Sequence, residues 1–308
     1  MEEREKEVMN NFENEKYFAL TNVDIDKIGD NEIDRTKHSE THGASWDAIG
    51  FENIEFILNK IEIAAREGKL LKDMSVDKTN KKLFYLLYPN AGSIRFCLLL
   101  KSRPKRDDLL MVAFYPLVYG IENEIAIIDK YKWKNKIEGE VTAIFNDNRE
   151  ISFFAPFFSK EFEDIPKRKI KVFLSGLVEY IKLASEKDII IKEGNFYNVA
   201  LNDFLADNPT KTKNDFPHVK VRIKGTILCI PSTYSSYYEF RSTIQSIETV
   251  SIVGIDVLKM KICLLKDEDK ELNIFIYVAK NREECKKFKV GCDIEGIVML
   301  RGYINNVF

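Results

Sequence analysis

The spacing of apolar residues changes once along the chain, from a helical period to an alternating one. In residues 51–67 the apolar positions recur at intervals of three and four, which predicts an amphipathic helix. Gly68 follows directly, at the position where a glycine commonly ends a helix. Beyond it, alternating segments rich in β-branched, aromatic and leucine residues occupy residues 83–88, 94–100, 109–119 and 124–130. A helix packed on antiparallel strands, an α+β unit, is therefore expected for residues 45–130.

Two glycine-centred strand patterns recur in the same order in the rest of the chain. Residues 137–144 match residues 223–230 in the pattern I-x-G-x-[VI]-x-x-I, and residues 174–178 match residues 294–298 around a central glycine. The two pairs lie 86 and 120 residues apart, so the second copy holds about 34 additional residues. Two matches in one order indicate a duplicated unit.

A glycine inside a strand marks a bulge or a bend, and the position of these glycines indicates the type of unit. The order of strands resembles that of the OB-fold type of five-stranded barrel. A long first strand with an internal glycine is followed by shorter strands and by a closing strand with an internal glycine. The resemblance covers about residues 131–184 and 216–304. The predicted class is α+β with predominantly antiparallel strands. The predicted domains are an acidic N-terminal arm (1–44), the helix-plus-sheet unit (45–130), a first OB-like barrel followed by a short helix (131–208) and a second OB-like barrel (209–308).

Charge is balanced over the whole chain but unequal along it. The 47 basic and 49 acidic residues leave a net charge of −2, so the chain as a whole has no attraction for polyanions. Residues 1–44 hold 12 acidic and 6 basic residues, which leaves the remaining residues with a net charge of +4. We therefore expect any nucleic-acid site to lie in a local basic cluster, for which the acidic arm would compete.

Cysteine usage and hydropathy predict a cytoplasmic protein. The five cysteines are scattered and form no CxxC pair, which favours free thiols in a reducing compartment. The charged N-terminus lacks the apolar stretch of a signal peptide, and no apolar run approaches the roughly 20 residues that span a bilayer.

A lysine-rich segment at residues 129–137 is the first candidate binding site. If it is extended, Lys132, Lys134 and Lys136 share one face with Lys130, while Trp133 lies on the other face. Lysines that follow a phosphate backbone and rings that stack on bases are what a single-strand binder needs. The alternative is that the lysines protect a sheet edge and the ring belongs to the core.

Two further features extend this candidate site. Lys167 and Arg168 form a second basic cluster before the closing strand of the first copy. In residues 151–158 alternation places phenylalanine on both faces, so the outer face either packs on a neighbouring domain or presents Phe154 as an aromatic platform. The tentative nucleic-acid site therefore comprises Lys132, Trp133, Lys134, Lys136, Phe154, Lys167 and Arg168.

Residues with the chemistry for catalysis are few. His38 and His42 have the spacing of two metal ligands on a helix, but the segment offers no defined third ligand. Asp267, Glu268 and Asp269 either form a solvated hairpin turn or hold a divalent cation, as in nucleases. No GxSxG, GxxxxGK or GxGxxG motif occurs, and no cofactor or metal is predicted.

These observations favour a non-catalytic binding protein that acts through its barrel surfaces. The expected partner is a single-stranded nucleic acid or another protein, and no membrane contact is expected. One alternative is a structural subunit of a larger assembly. The other is a metal-dependent hydrolase or nuclease that uses the acids at 267–269. Oligomeric state is left open by the sequence.

Overall fold

Strands make up most of the described part of the chain, as the alternating pattern predicts. The computed structural model describes residues 38–51, 53–71, 82–103, 108–146, 149–267, 270–305 and 307–308. They belong to one compact unit, Thr36–Phe308, and the other unit, Met1–Arg35, lies outside the described residues. Most of the predicted acidic arm therefore also lies outside them. The predicted class, α+β with mostly antiparallel strands, is confirmed.

Four α-helices and fifteen strands occur in the described residues. The helices are α1 (Gly43–Ala48), α2 (Ile54–Glu67), α3 (Phe158–Glu161) and α4 (Asn195–Asp207). The first eight strands are β1 (Lys69–Leu70), β2 (Leu83–Tyr88), β3 (Ile94–Ser102), β4 (Leu109–Val118), β5 (Ile121–Lys132), β6 (Gly139–Phe145), β7 (Arg149–Ala155) and β8 (Lys169–Leu183). The others are β9 (Ile189–Ile191), β10 (Val219–Val221), β11 (Leu228–Pro231), β12 (Tyr237–Ile252), β13 (Ile255–Asp267), β14 (Lys270–Ala279) and β15 (Asp293–Tyr303).

The helix expected from the first apolar repeat is α2. Its N-terminus is capped by Asn53, whose side chain accepts hydrogen bonds from the amides of Glu55 (2.8 Å) and Phe56 (3.4 Å). The helix ends at Glu67, and the Gly68 amide donates to the Ala64 carbonyl over 2.9 Å. Gly68 is not in the left-handed region, so the glycine is needed for close approach, because a Cβ there would collide with the Ala64 carbonyl.

The helix packs on a four-stranded sheet, but only three of these strands are among the four predicted for residues 45–130, and the fourth is the two-residue β1. Strands β1 to β4 form a four-stranded antiparallel sheet in chain order, and α2 packs on β2 and β3. The last segment predicted for this unit, residues 124–130, belongs to β5 of the large sheet instead. The boundary expected at residue 130 therefore falls inside a strand.

The large sheet has nine strands, and its pairings close two five-membered rings. In ring 1, β5, β6 and β7 pair in order, β7 runs parallel to β15, and β8 joins β15 to β5. In ring 2, β12, β13 and β14 pair in order, β14 runs parallel to β8, and β15 joins β8 to β12. Strands β8 and β15 belong to both rings, so each half of the chain supplies one strand that closes the ring of the other half.

The interiors of the two rings are continuous. A single buried apolar cluster contains Val141, Phe153 and Leu174 together with Met260, Ile276 and Leu300. Apolar burial is the main force that stabilises such a core, so the two rings form one packed unit.

The internal duplication differs from the one that the glycine patterns predict. Residues 174–178 and 294–298 do lie in corresponding strands, β8 and β15. Residues 137–144 lie in β6 and the turn before it, whereas Gly225 lies in a turn with φ of 77° outside any strand. The strand of the second half that corresponds to β5 is β12, and both carry a bulge, at Ile127/Asp129 and at Ile244/Ser246. The first pair of matching segments therefore does not occupy equivalent strands of the two halves.

The residues between the two halves form a small substructure that is not part of the large sheet. It contains the antiparallel pair β9–β10 and helix α4, which lies where the sequence predicts a short helix. None of the helices in the described residues is long and apolar enough to cross a membrane.

Candidate functional site

The four lysines of residues 130–136 do not share one face, because the strand ends before the segment does. Strand β5 stops at Lys132, and a turn follows in which the Trp133 amide donates to Glu138 and the Lys136 amide donates to Trp133. The Asn135 side chain fixes this turn by accepting from the amides of residues 137 and 138 at 2.9 and 3.0 Å. The predicted basic rail is therefore absent.

Two of these lysines support the protein's own structure. Lys130 Nζ donates to the carbonyls of Phe162, Glu163 and Ile165 at 3.1, 2.8 and 2.8 Å, which satisfies carbonyl groups in the segment that follows α3. Lys132 forms an ion pair with Glu163. Lys134 is 90% exposed and Lys136 is also exposed, so these two remain open to a ligand.

The two rings predicted to stack on bases are both buried. Trp133 is 3% exposed, and its Nε1 donates to Glu140 Oε1 over 3.2 Å. Phe154 is fully buried, 4.8 Å from the Trp133 ring and 5.3 Å below the Arg301 guanidinium. Of the two alternatives for the strand with phenylalanine on both faces, the structure shows packing against other parts of the chain.

The outer face of ring 1 is covered by residues 38–42, which we call the strap. The His38 ring stacks on Tyr131 at 3.5 Å, and its Nδ1 lies 2.9 Å from Glu140 Oε2. His42 Nε2 lies 3.1 Å from Glu138 Oε1, and the Glu40 carboxylate accepts from the Tyr131 hydroxyl at 2.9 Å. Burial raises the pKa of the Glu140 carboxyl above its usual value, and the hydrogen bond from His38 acts in the opposite direction.

The two histidines contact carboxylates in this structure. Each imidazole faces a different glutamate, and no group of three potential metal ligands occurs among the described residues. Of the three consecutive acids, only Asp267 is described; it accepts from Asn146 Nδ2 at 2.9 Å. Glu268 and Asp269 lie outside the described residues.

The second basic cluster borders an open groove. Lys167 and Arg168 are exposed, as are Lys169 and Lys171 at the start of β8. The groove has a volume of about 450 Å³ and is lined by Glu124, Ile165, Arg168, Lys169, Ile170, Lys171 and Ile304. Lys171 pairs with Glu122 at 2.8 Å, so the positive charge of the groove rests mainly on its other basic side chains.

Strand β8 leads from this groove to a cluster of half-buried aromatic rings. Lys169, Lys171 and Phe173 alternate along the strand and so point to the same side. Tyr119 lies 6.4 Å from Phe173, and the rings of Phe275 and Phe308 are 6.1 and 5.6 Å from Tyr119. These four rings are partly exposed.

Two lysines from β13 stand beside the same rings. Lys259 Nζ lies 4.1 Å from the centre of the Phe275 ring, a cation–π distance, and 2.7 Å from Glu248. Lys261 is paired with Phe275 across β13 and β14 and is partly exposed. We call this group the aromatic–lysine surface. Its members are Tyr119, Phe173, Phe275, Phe308, Lys259 and Lys261.

Ring 1 and ring 2 carry opposite charges at corresponding positions. On ring 1, Glu140 pairs with Phe154, which is paired in parallel with Arg301. On ring 2, Lys259 pairs with Tyr277, which is paired in parallel with Leu177. At this one position ring 1 has a glutamate where ring 2 has a lysine, and the buried Arg301 also lies on the outer face of ring 1.

Sequence reasoning missed the aromatic–lysine surface because its residues come from four distant segments. Tyr119 precedes β5, Phe173 lies in β8, and Phe275 lies in β14, more than a hundred residues later. One local signal was present: Lys259 and Lys261 alternate with Leu258, Met260 and Ile262, which is the pattern of a strand with a lysine-bearing outer face.

Comparison of the chain with protein-family models, with curated proteins and with solved structures finds no match. The function has to be argued from the residues themselves.

Proposed function

We propose that this chain is a binding protein for single-stranded nucleic acid, built on two OB-like barrels that correspond to ring 1 and ring 2. The aromatic–lysine surface and the adjoining groove form the site. The observation that carries the proposal is the half-buried Phe275 ring of β14 directly opposite the partly exposed Lys261 of β13. In an OB fold the second and third strands form the ligand face, and β13 and β14 are the second and third strands of ring 2.

The roles of the side chains follow from their chemistry. Lys261, with Arg168 and Lys169 at the groove, would neutralise phosphates along the backbone of the strand. Phe275 and Phe173 would each stack on a base, a contact that every base can make. Among the residues predicted from sequence, Lys134, Lys136, Lys167 and Arg168 keep exposed positions from which they could contact phosphate.

The cytoplasm is the proposed location, and the cysteines support it. All five are unpaired, and burial raises the pKa of the Cys97 and Cys229 thiols to about 12, so they are thiols and not thiolates at neutral pH.

The experiment is fluorescence anisotropy of a labelled single strand of about 20 nucleotides, measured with the full chain at several salt concentrations. For Lys169→Glu/Lys261→Glu we expect at least about a tenfold loss of affinity, and the slope of log K against log salt should fall by about 0.7 for each lost phosphate contact. Phe275→Leu should weaken binding with little change in the slope, because stacking releases no counterions.

A matched control separates this site from bulk charge. Lys280→Glu/Lys286→Glu makes the same change of charge at two exposed lysines away from the surface, and it should leave affinity within about twofold. Lys132→Glu/Lys134→Glu tests the segment singled out by the sequence. Absence of binding at low salt, or equal losses in the site and control variants, would overturn the proposal.

A further inference from the structure

The covered face of ring 1 has the construction of a binding site for two imidazoles. Glu138 and Glu140 are 1% and 2% exposed, and a buried carboxylate is strongly destabilising unless it has hydrogen-bond partners. The strap supplies one imidazole to each: His42 to Glu138 and His38 to Glu140. Two carboxylates are thereby matched to two histidines at a spacing of four residues.

Each carboxylate is also held by a donor of ring 1 itself. Asn135 Nδ2 donates to Glu138 Oε2 over 2.6 Å, and Trp133 Nε1 donates to Glu140 Oε1 over 3.2 Å. These bonds do not involve the strap, so they orient both carboxylates whether or not the strap is in place. The site is therefore preorganised for a ligand, which lowers the cost of binding.

Aromatic rings enclose both imidazoles. The His38 ring lies parallel to Tyr131 at 3.5 Å, with an interplanar angle of 1°. The His42 ring lies 4.5 Å from Tyr115, 5.4 Å from Trp133 and 5.1 Å from Phe154. A planar ring that donates an N–H to a carboxylate fits both positions, whereas an aliphatic side chain would remove one of the hydrogen bonds that each buried carboxylate accepts.

The strap is attached in a way that permits release. Its polar contacts with ring 1 include those of the His38, Glu40 and His42 side chains, and Lys134 Nζ lies 4.0 Å from the Glu40 carboxylate. Glu40 adopts φ of 47°, a left-handed conformation that disfavours a residue with a Cβ, so leaving the site relieves backbone strain. After residue 42 the chain enters α1, where Trp46 and Ile49 are buried in a separate apolar cluster that would keep the strap tethered.

We infer that the outer face of ring 1 is a recognition site for a peptide carrying two histidines four residues apart, and that the strap occupies it as an exchangeable ligand. Release of the strap would remove the His42 ring from its contacts with Trp133 and Phe154, the two rings that the sequence marks for ligand binding. The corresponding position on ring 2 is Lys259 in place of Glu140, so recognition of imidazoles is confined to ring 1.

The test uses the full chain and a labelled nine-residue peptide with the sequence of residues 36–44, Thr-Lys-His-Ser-Glu-Thr-His-Gly-Ala. The wild-type chain should bind it weakly, because the tethered strap competes at an effective concentration in the millimolar range. The variant His38→Ala/His42→Ala, whose strap lacks both imidazoles, should bind the peptide at least about tenfold more tightly.

Two controls show whether the site recognises the imidazole rings. A peptide with both histidines replaced by alanine should not bind the double variant. Adding Glu140→Gln to the double variant should lower its affinity for the histidine peptide by about tenfold or more. Glu248→Gln, at an exposed glutamate on ring 2, should leave peptide binding unchanged. Equal binding of the histidine and alanine peptides, or no gain in the double variant, would refute the inference.

A second measurement covers the case in which the double variant does not fold. Hydrogen exchange of the wild-type chain should show faster deuterium uptake in residues 38–42 when the histidine peptide is in large excess, and no change with the alanine peptide. Unchanged uptake with both peptides would show that the strap is not exchangeable.

Discussion

The buried carboxyl of Glu161 leads to a prediction about stability and pH. Glu161 is 5% exposed; Oε2 accepts from the Ile304 amide at 2.8 Å, and Oε1 accepts from Asn305 N and Nδ2 at 2.9 and 3.0 Å. Burial raises the pKa of this carboxyl from 4.5 to about 7, while the hydrogen bonds from Ile304 and Asn305 act to lower it. The group is therefore harder to ionise in the folded chain than in the unfolded chain.

The sign and size of the effect follow from linkage. As pH rises from about 4.5 to about 7, the unfolded chain loses this proton before the folded chain does, so the free energy of unfolding falls. With those two pKa values the contribution of Glu161 changes by about 2.5 kcal/mol between about pH 5 and about pH 8. This stability is present at acid pH and lost as pH rises through the folded pKa.

The perturbation is Glu161→Gln, which keeps an amide oxygen for Asn305 and cannot ionise. At acid pH the variant should be less stable than wild type by about 1–2 kcal/mol, because the glutamine N–H₂ faces the Ile304 amide. Toward about pH 8 the wild type should lose this advantage in stability or become the less stable protein. The difference in free energy of unfolding between the two proteins should shift by about 2.5 kcal/mol.

The assay is urea unfolding of both proteins at both pH values. All other titrating groups are common to the two proteins and cancel in the comparison. A difference between wild type and variant that stays constant within about 0.5 kcal/mol across this pH range would refute the reasoning.

Three further predictions concern stability and reactivity. Gly296→Ala should lower the free energy of unfolding by about 3 kcal/mol, because its Cβ would meet a backbone carbonyl of β8. Gly225 has φ of 77° and open space around it, so Gly225→Ala should lower it by about 1 kcal/mol. Equal losses of stability in thermal unfolding would contradict this prediction. Lys130→Met should lower the free energy of unfolding by about 1–2 kcal/mol, because three hydrogen bonds to carbonyls are lost. Lys132→Met removes an exposed ion pair and should lower it by less than about 1 kcal/mol. A larger loss for Lys132→Met in urea unfolding would contradict the structural role given to Lys130. Cys97, fully buried with a pKa of about 12, should resist iodoacetamide until the chain unfolds, so mass-spectrometric detection of its alkylation in the native protein would rule out this packing.

Elements with a strong local period were predictable. Helix α2 was predicted within a few residues, because its apolar spacing and the following glycine act over one or two turns. The strand pattern after it gave the correct class, whereas phenylalanine on both faces of β7 left packing and an exposed platform as alternatives, between which the burial of Phe154 decides. Each of these predictions depends on residues that are neighbours in sequence.

The lysine segment shows where local reasoning fails. Alternation predicted one basic face through Lys136, but the Asn135 side chain and the Lys136 backbone form a turn after Lys132. The sequence also gave no sign that His38 and His42 would meet Glu140 and Glu138, about a hundred residues away. Those contacts bury the rings that a ligand was expected to reach.

The sequence by itself determined the β-rich class, helix α2 and the balanced charge. Only the tertiary structure decided that β8 and β15 are shared, so that each half of the chain closes the ring of the other. It also decided that the rings of the aromatic–lysine surface stay partly exposed while those of Trp133 and Phe154 are covered. The physical reason is that strand pairing uses backbone hydrogen bonds, which are alike for nearly all residues, so a strand's alternation reveals its two faces but not the partner at its edge.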